Sequence, residues 1–64
     1  MKKLKIEKLR EEKGWSQAQL GKKVGVSERT IRTWESDIER LRNAKGKHLL
    51  KLCKAFKVTL DQII

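Results

Sequence analysis

A run of polar residues with nucleic-acid chemistry lies between Ser27 and Asp37. Glu28, Arg29, Arg32, Thr33 and Ser36 share one side of a helix at this spacing, while Ile31 and Trp34 fall on the other. A guanidinium is the usual bidentate partner of guanine, a carboxylate accepts from cytosine N4, and a threonine touches a thymine methyl or a phosphate. A short, rigidly held helix with a polar, partly cationic front is what enters a DNA major groove. Each side chain also has a plainer use. Arg29 and Arg32 serve equally as solvated surface cations. Glu28 serves as a favourable charge at a helix N-terminus, worth a few tenths to about 1 kcal/mol.

Such a helix must be held at a fixed angle, and the preceding block from Gln17 supplies the means. Two short helices that cross steeply need a small residue where they touch, which Gly21 provides. The turn between them needs a residue tolerant of positive φ, which Gly25 provides. Leu20, Val24, Val26, Ile31 and Trp34 then point inward and lock the crossing.

Helix starts are written in local chemistry. Ser16 and Gln19 form a capping box, with Trp15 and Leu20 at the ends of a hydrophobic staple. Ser27 caps the next helix, and Thr59 with Gln62 repeats the box near the C-terminus. Gly14 and Gly25 mark stops. The spacing predicts helices over about 4–13, 17–24, 28–36, 47–56 and 60 to the end. The first buries Ile6 and Leu9. The fourth carries Leu49, Leu52, Cys53 and Phe56 as a core stripe. Residues 37–46 read either as a loop or as an extension of the preceding helix, because Ile31, Trp34, Ile38 and Leu41 continue at helical spacing. No segment alternates as a strand. The expected fold is all-α, a compact bundle of about five short helices in one domain spanning residues 1–64.

Composition narrows the partner. The chain has 64 residues, with 17 Lys and Arg against 8 Asp and Glu, and a net charge of +9. That excess implies a polyanion, either nucleic acid or an acidic membrane surface. A domain this small hides only about 60% of its unfolded surface, which leaves no room for a deep pocket. Cys53 is the one cysteine and His48 the one histidine, so neither a disulfide, a metal site nor a cofactor is expected. No nucleophile has an identifiable base, and no Gly-rich loop cradles a phosphate, so an enzyme is not expected. The N-terminus lacks the apolar run of a signal peptide, and no stretch approaches the roughly 18 residues of a membrane span. A cytoplasmic protein is the expectation.

The sequence resembles the helix-turn-helix domains of the phage-repressor type (Cro/cI, or XRE). The likeness runs through LREEKGWSQAQL, KKVGVSERTIRTWE and LLKLCKAFKVTLDQII, and rests on Gln17, Gly21, Gly25-Val26-Ser27, Ile31, Trp34-Glu35 and Val58-Thr59-Leu60-Asp61. It implies a helical bundle that binds double-stranded operator DNA, usually as a symmetric homodimer. It implies base reading by Glu28, Arg29, Arg32 and Thr33, and a phosphate contact from Gln17. Relatives usually follow Trp34-Glu35 with a short loop containing Gly and Pro. Here about three extra residues and no proline stand beside the surface where such dimers often meet.

Other phosphate contacts are expected from Ser27 and Ser36 and from a basic rim of Arg10, Arg42, Asn43, Lys45 and Lys47, whose alternative is a solvated charged face. Trp15 and Trp34 occupy packing positions, Cys53 reads as a small buried hydrophobe, and His48 has no assigned chemistry. Ile38, Leu41, Ile63 and Ile64 are the apolar residues available for pairing two copies. The expected function is a sequence-specific transcriptional regulator, a repressor on a palindromic operator, monomeric when free. A basic membrane-surface helix lacks support, because the first helix has no bulky aromatics on its apolar side. The rival reading is an antitoxin-like module that uses the same fold for protein contact.

Overall fold

In the computed structural model, which describes residues 3–64, the local capping chemistry sets where helices begin. Ser16 Oγ accepts from the Gln19 amide at 3.1 Å, and Gln19 Oε1 accepts from the Ser16 amide at 2.7 Å. This box opens α2, Gln17–Val24. Ser27 Oγ accepts from the Thr30 amide at 3.1 Å and opens α3, Glu28–Ser36. Before them lies α1, Lys5–Glu12, whose first turn has no side-chain cap. Beyond them lie α4, Ile38–Arg42, and α5, Gly46–Phe56. The fold is all-α, with no strand among the described residues.

Two glycines set the crossing of α2 and α3. Gly25 ends α2 at φ 86°, and its amide donates to Gly21 O at 2.8 Å. A Cβ on Gly21 would stand 2.7 Å from the Val26 carbonyl oxygen, so the connection passes over α2 where side-chain atoms have no room. The two helices accordingly pack closely against each other.

The stretch after α3 differs from both readings of the sequence. Asp37 adopts an extended conformation, φ −144° and ψ 106°, which ends α3. Its Oδ1 then accepts from the Glu39 amide at 3.0 Å and starts α4 on a new axis. The apolar spacing at Ile38 and Leu41 is helical, and Leu41 is fully buried, but a capped break separates it from α3. The C-terminal segment also differs. Instead of a helix to the end, a single 3-10 turn spans Leu60–Gln62. Gln62 Oε1 accepts from the Thr59 amide at 2.9 Å, while the Thr59 hydroxyl donates to Asp61 at 2.7 Å.

Ile6, Leu20, Val24, Ile31, Trp34, Leu41, Leu52, Phe56 and Ile63 form the core, to which all five helices contribute along with Ile63, the residue after the C-terminal turn. Leu49, Cys53, Leu9 and Val26 are half-buried around it. Leu41 and Ile63 therefore cannot offer surface for pairing, contrary to expectation, because both are fully covered within the chain. Ile38 and Ile64 pack against the same core. The large apolar side chains left outside are Leu50 and Leu60.

Candidate nucleic-acid interface

α3 has two chemically distinct sides. Ile31, Trp34 and Glu35 are buried, whereas Glu28, Arg29, Arg32 and Ser36 are exposed and Thr33 is half-buried. Arg32 Nη2 lies 3.2 Å from Glu28 Oε2, both side chains at least half exposed, so this pair is weak and readily exchanged for an outside partner. Arg29 has no ion-pair partner among the described residues. The Thr33 hydroxyl donates to Arg29 O at 3.1 Å, which leaves its methyl and an oxygen lone pair for contact. Ser36 Oγ similarly donates to Thr33 O at 3.0 Å.

An open concavity of about 370 Å³ lies between α3 and α4. It brings together Arg29, Thr33 and Asn43 from the expected set, lined also by Thr30, Trp34 and Ala44. Arg40 joins them, a residue the sequence did not single out. The break at Asp37 and the new helix after it bring Arg40 to the concavity it shares with α3. Asn43 Nδ2 donates to Glu39 O at 2.8 Å, which fixes its amide plane. Arg42 instead pairs with Glu39 at 3.1 Å, and Lys45 and Lys47 are exposed at the start of α5.

Arg10 does not join this rim. Its Nε donates to Glu35 Oε2 at 2.6 Å and its Nη2 to Glu35 Oε1 at 3.2 Å, with side chains only 12% and 4% exposed. Its Nη1 donates to Trp15 O at 2.8 Å. The hydrogen bond to the Glu35 carboxylate is the main cause that holds the Arg10 guanidinium above its ordinary pKa. Gln17 Nε2 donates to the same carboxylate, to Oε1 at 3.0 Å. The first residue of α2, the end of α1 and the underside of α3 are thus tied at one carboxylate. Buried charge persists only when paired and hydrogen-bonded, and this group satisfies both conditions. Sequence periodicity contains a signal for it. Arg10 follows Ile6 on the inner stripe of α1, and Glu35 follows Ile31 on that of α3, each at i+4.

Trp15 stacks on Phe56 with ring centroids 5.6 Å apart, and Trp34 is buried, so both tryptophans pack within the fold. His48 lies 6.1 Å from Trp34 between ring centroids. Partial desolvation, then the charges of Lys47, Lys45 and Lys51, hold its pKa below the usual histidine value. No group of three or more His, Cys, Asp or Glu is placed to hold a metal among the described residues. No helix among them is long and apolar enough to cross a membrane.

No curated protein and no solved structure matches the chain. The sequence pattern described as helix-turn-helix matches residues 6–63, from the first core residue of α1 to the buried Ile63. With α2, the Gly25 turn and α3 inside that span, the chain belongs to the helix-turn-helix family of the Cro/C1 (XRE) type, a family of DNA-binding regulators.

Proposed function

We propose that the chain reads a specific duplex DNA site with α3 in the major groove and represses transcription by occupying a palindromic operator as a pair of copies. One observation carries this reading: α3 is fixed from below by Ile31, Trp34 and the Arg10–Glu35 pair, and free above at Glu28, Arg29 and Arg32. Glu28, Arg29, Arg32 and Thr33 then meet base edges. Gln17, Ser27, Ser36, Arg42, Asn43 and Lys45 meet phosphates, with Arg40 added from the concavity it shares with Arg29. Arg10 acts at one remove, by holding Glu35 and through it Gln17.

Selection of bound sites from random duplex DNA, followed by titration in increasing salt, tests this. The expected result is an enriched motif with two-fold symmetry. If about six to eight phosphates are neutralised by a bound pair, log K falls against log salt with a slope of about −5 to −7. No enriched motif, with a slope shallower than about −2, overturns it.

A further inference from the structure

Trp15, Lys23, Lys51, Lys54 and Ala55 line an open hollow of about 440 Å³ between α2 and α5, with no residue of α3 or α4 in its wall. Its apolar part is the Trp15 indole and Ala55. Its rim is cationic. Lys23 Nζ stands 4.5 Å from the centre of the Trp15 ring. Lys51 Nζ lies 3.5 Å from the position a Cβ would take on Gly25. None of the three lysines belongs to an ion pair among the described residues. The sequence explains why: residues 13–27 and 40–60, which build the hollow, contain no Asp or Glu.

These features select among anions. The Trp15 ring is already stacked with Phe56 and covered by the Lys23 ammonium, so a nucleic-acid base would have to displace one of them to stack on it. A phosphate backbone would use the lysines and leave Trp15 and Ala55 without a partner. A second copy of the chain, at net +9, is repelled by the same lysines. What matches both the charge and the apolar part is a peptide that carries carboxylates around an aliphatic side chain.

We propose that this hollow docks an acidic, leucine-bearing segment of a protein partner. Its carboxylates meet Lys23, Lys51 and Lys54, and its leucine lies against the Trp15 edge and Ala55. Because α3 takes no part in the wall, such a partner sits on the chain while α3 remains available.

The probe is a short synthetic peptide of Glu and Leu, titrated into the full chain at physiological salt and followed by amide and indole NMR shifts. The shifts are expected to centre on Trp15, the last turn of α2 and α5. Lys51→Glu with Lys54→Glu weakens binding at least about tenfold, since each reversal turns an attraction at the rim into a repulsion. Arg29→Ala with Arg32→Ala leaves it unchanged. Equal binding of a peptide with Ser in place of Leu reduces the effect to general charge attraction and overturns the proposal. So do shifts centred on α3, or indifference to the paired lysine reversals. Displacement of the peptide by vesicles rich in phosphatidylserine, or by a duplex oligonucleotide, assigns the hollow to those surfaces and overturns it as well.

Discussion

Removal of the Glu35 side chain by Glu35→Ala is expected to be among the costliest single changes in the chain. The carboxylate accepts three hydrogen bonds, two from Arg10 and one from Gln17, and is 4% exposed. Its loss strands a guanidinium that is itself only 12% exposed. Opposite charges about 4 Å apart at an effective dielectric of about 20 interact by about 4 kcal/mol. Breaking a buried pair by removing one partner typically costs about 3–5 kcal/mol. The whole stability of a domain this size is about 3–10 kcal/mol, so the variant lies at or near the edge of folding. Each kcal/mol shifts the melting temperature by about 4–8 °C here, which puts the expected fall at 12 °C or more.

The control is a double-mutant cycle with Arg10→Met and Glu35→Leu, read by urea unfolding. Apolar replacement of both partners is often neutral, so the double variant is expected to recover most of the stability either single variant loses. Because the pair is shielded from solvent, the coupling persists at about 0.5 M salt, whereas the exposed Lys3–Glu11 pair at 2.7 Å fades. A fall below about 4 °C for Glu35→Ala, or strictly additive single effects in the cycle, refutes the reasoning.

Arg29→Ala and Arg32→Ala are each expected to relax base preference at one or two operator positions by about 1–3 kcal/mol, while Gln17→Ala weakens all sites alike; competition titrations on a panel of sites would expose uniform scaling in every variant, which sinks α3 as the reader. Lys57 ends α5 at φ 57° without the glycine usual there, so Lys57→Gly is expected to raise stability by up to about 1 kcal/mol, and an unchanged or lower melting temperature counts against it. The His48 pKa is depressed in the fold, so its contribution to stability is complete above the unfolded value near 6.5 and is lost as pH falls through the folded value. An NMR titration of the imidazole with a midpoint above 6.5 reverses that sign. The free chain is expected to sediment as a monomer at micromolar concentration and to bind whole operators, with half-sites about 10–10.5 base pairs apart, far more tightly than half operators. A stable dimer without DNA, or equal affinity for half and whole sites, contradicts this.

What was legible in the sequence was local. The Ser16–Gln19 box and the Ser27 cap act over three residues, so residue types alone set the starts of α2 and α3. The glycine in the α2–α3 turn was legible for the same reason. The break at Asp37 was not, since Ile31, Trp34, Ile38 and Leu41 keep helical spacing across it. Only the extended conformation of one residue distinguishes two helices from one. The C-terminal turn has the capping residues of a helix but too few residues to complete one. In the candidate site, the exposed side of α3 followed from periodicity, whereas Arg40 and the role of Glu35 depended on contacts between elements. Charge alone groups Arg10 with the basic rim expected at phosphates. Its position on the stripe of Ile6 carried the better information.

The burial of Leu41 and Ile63 also bears on assembly. Both were candidates for an interface, and their loss to the core leaves Leu50 and Leu60 as the large exposed apolar side chains. A standard interface takes about 800 Å² from each partner, close to a fifth of the 4476 Å² surface of this chain. Two isolated leucines do not build the apolar centre of such a patch. Free copies also repel, each at net +9, and that repulsion grows with any approach that does not place a polyanion between them. Duplex DNA removes both obstacles at once. On the proposed palindromic site it would neutralise the cations facing it and fix two copies at a set separation, so that even a small polar contact between them would act at high effective concentration. For a chain with this core and this charge, the proposed cooperativity is more economically supplied by the operator than by a preformed interface.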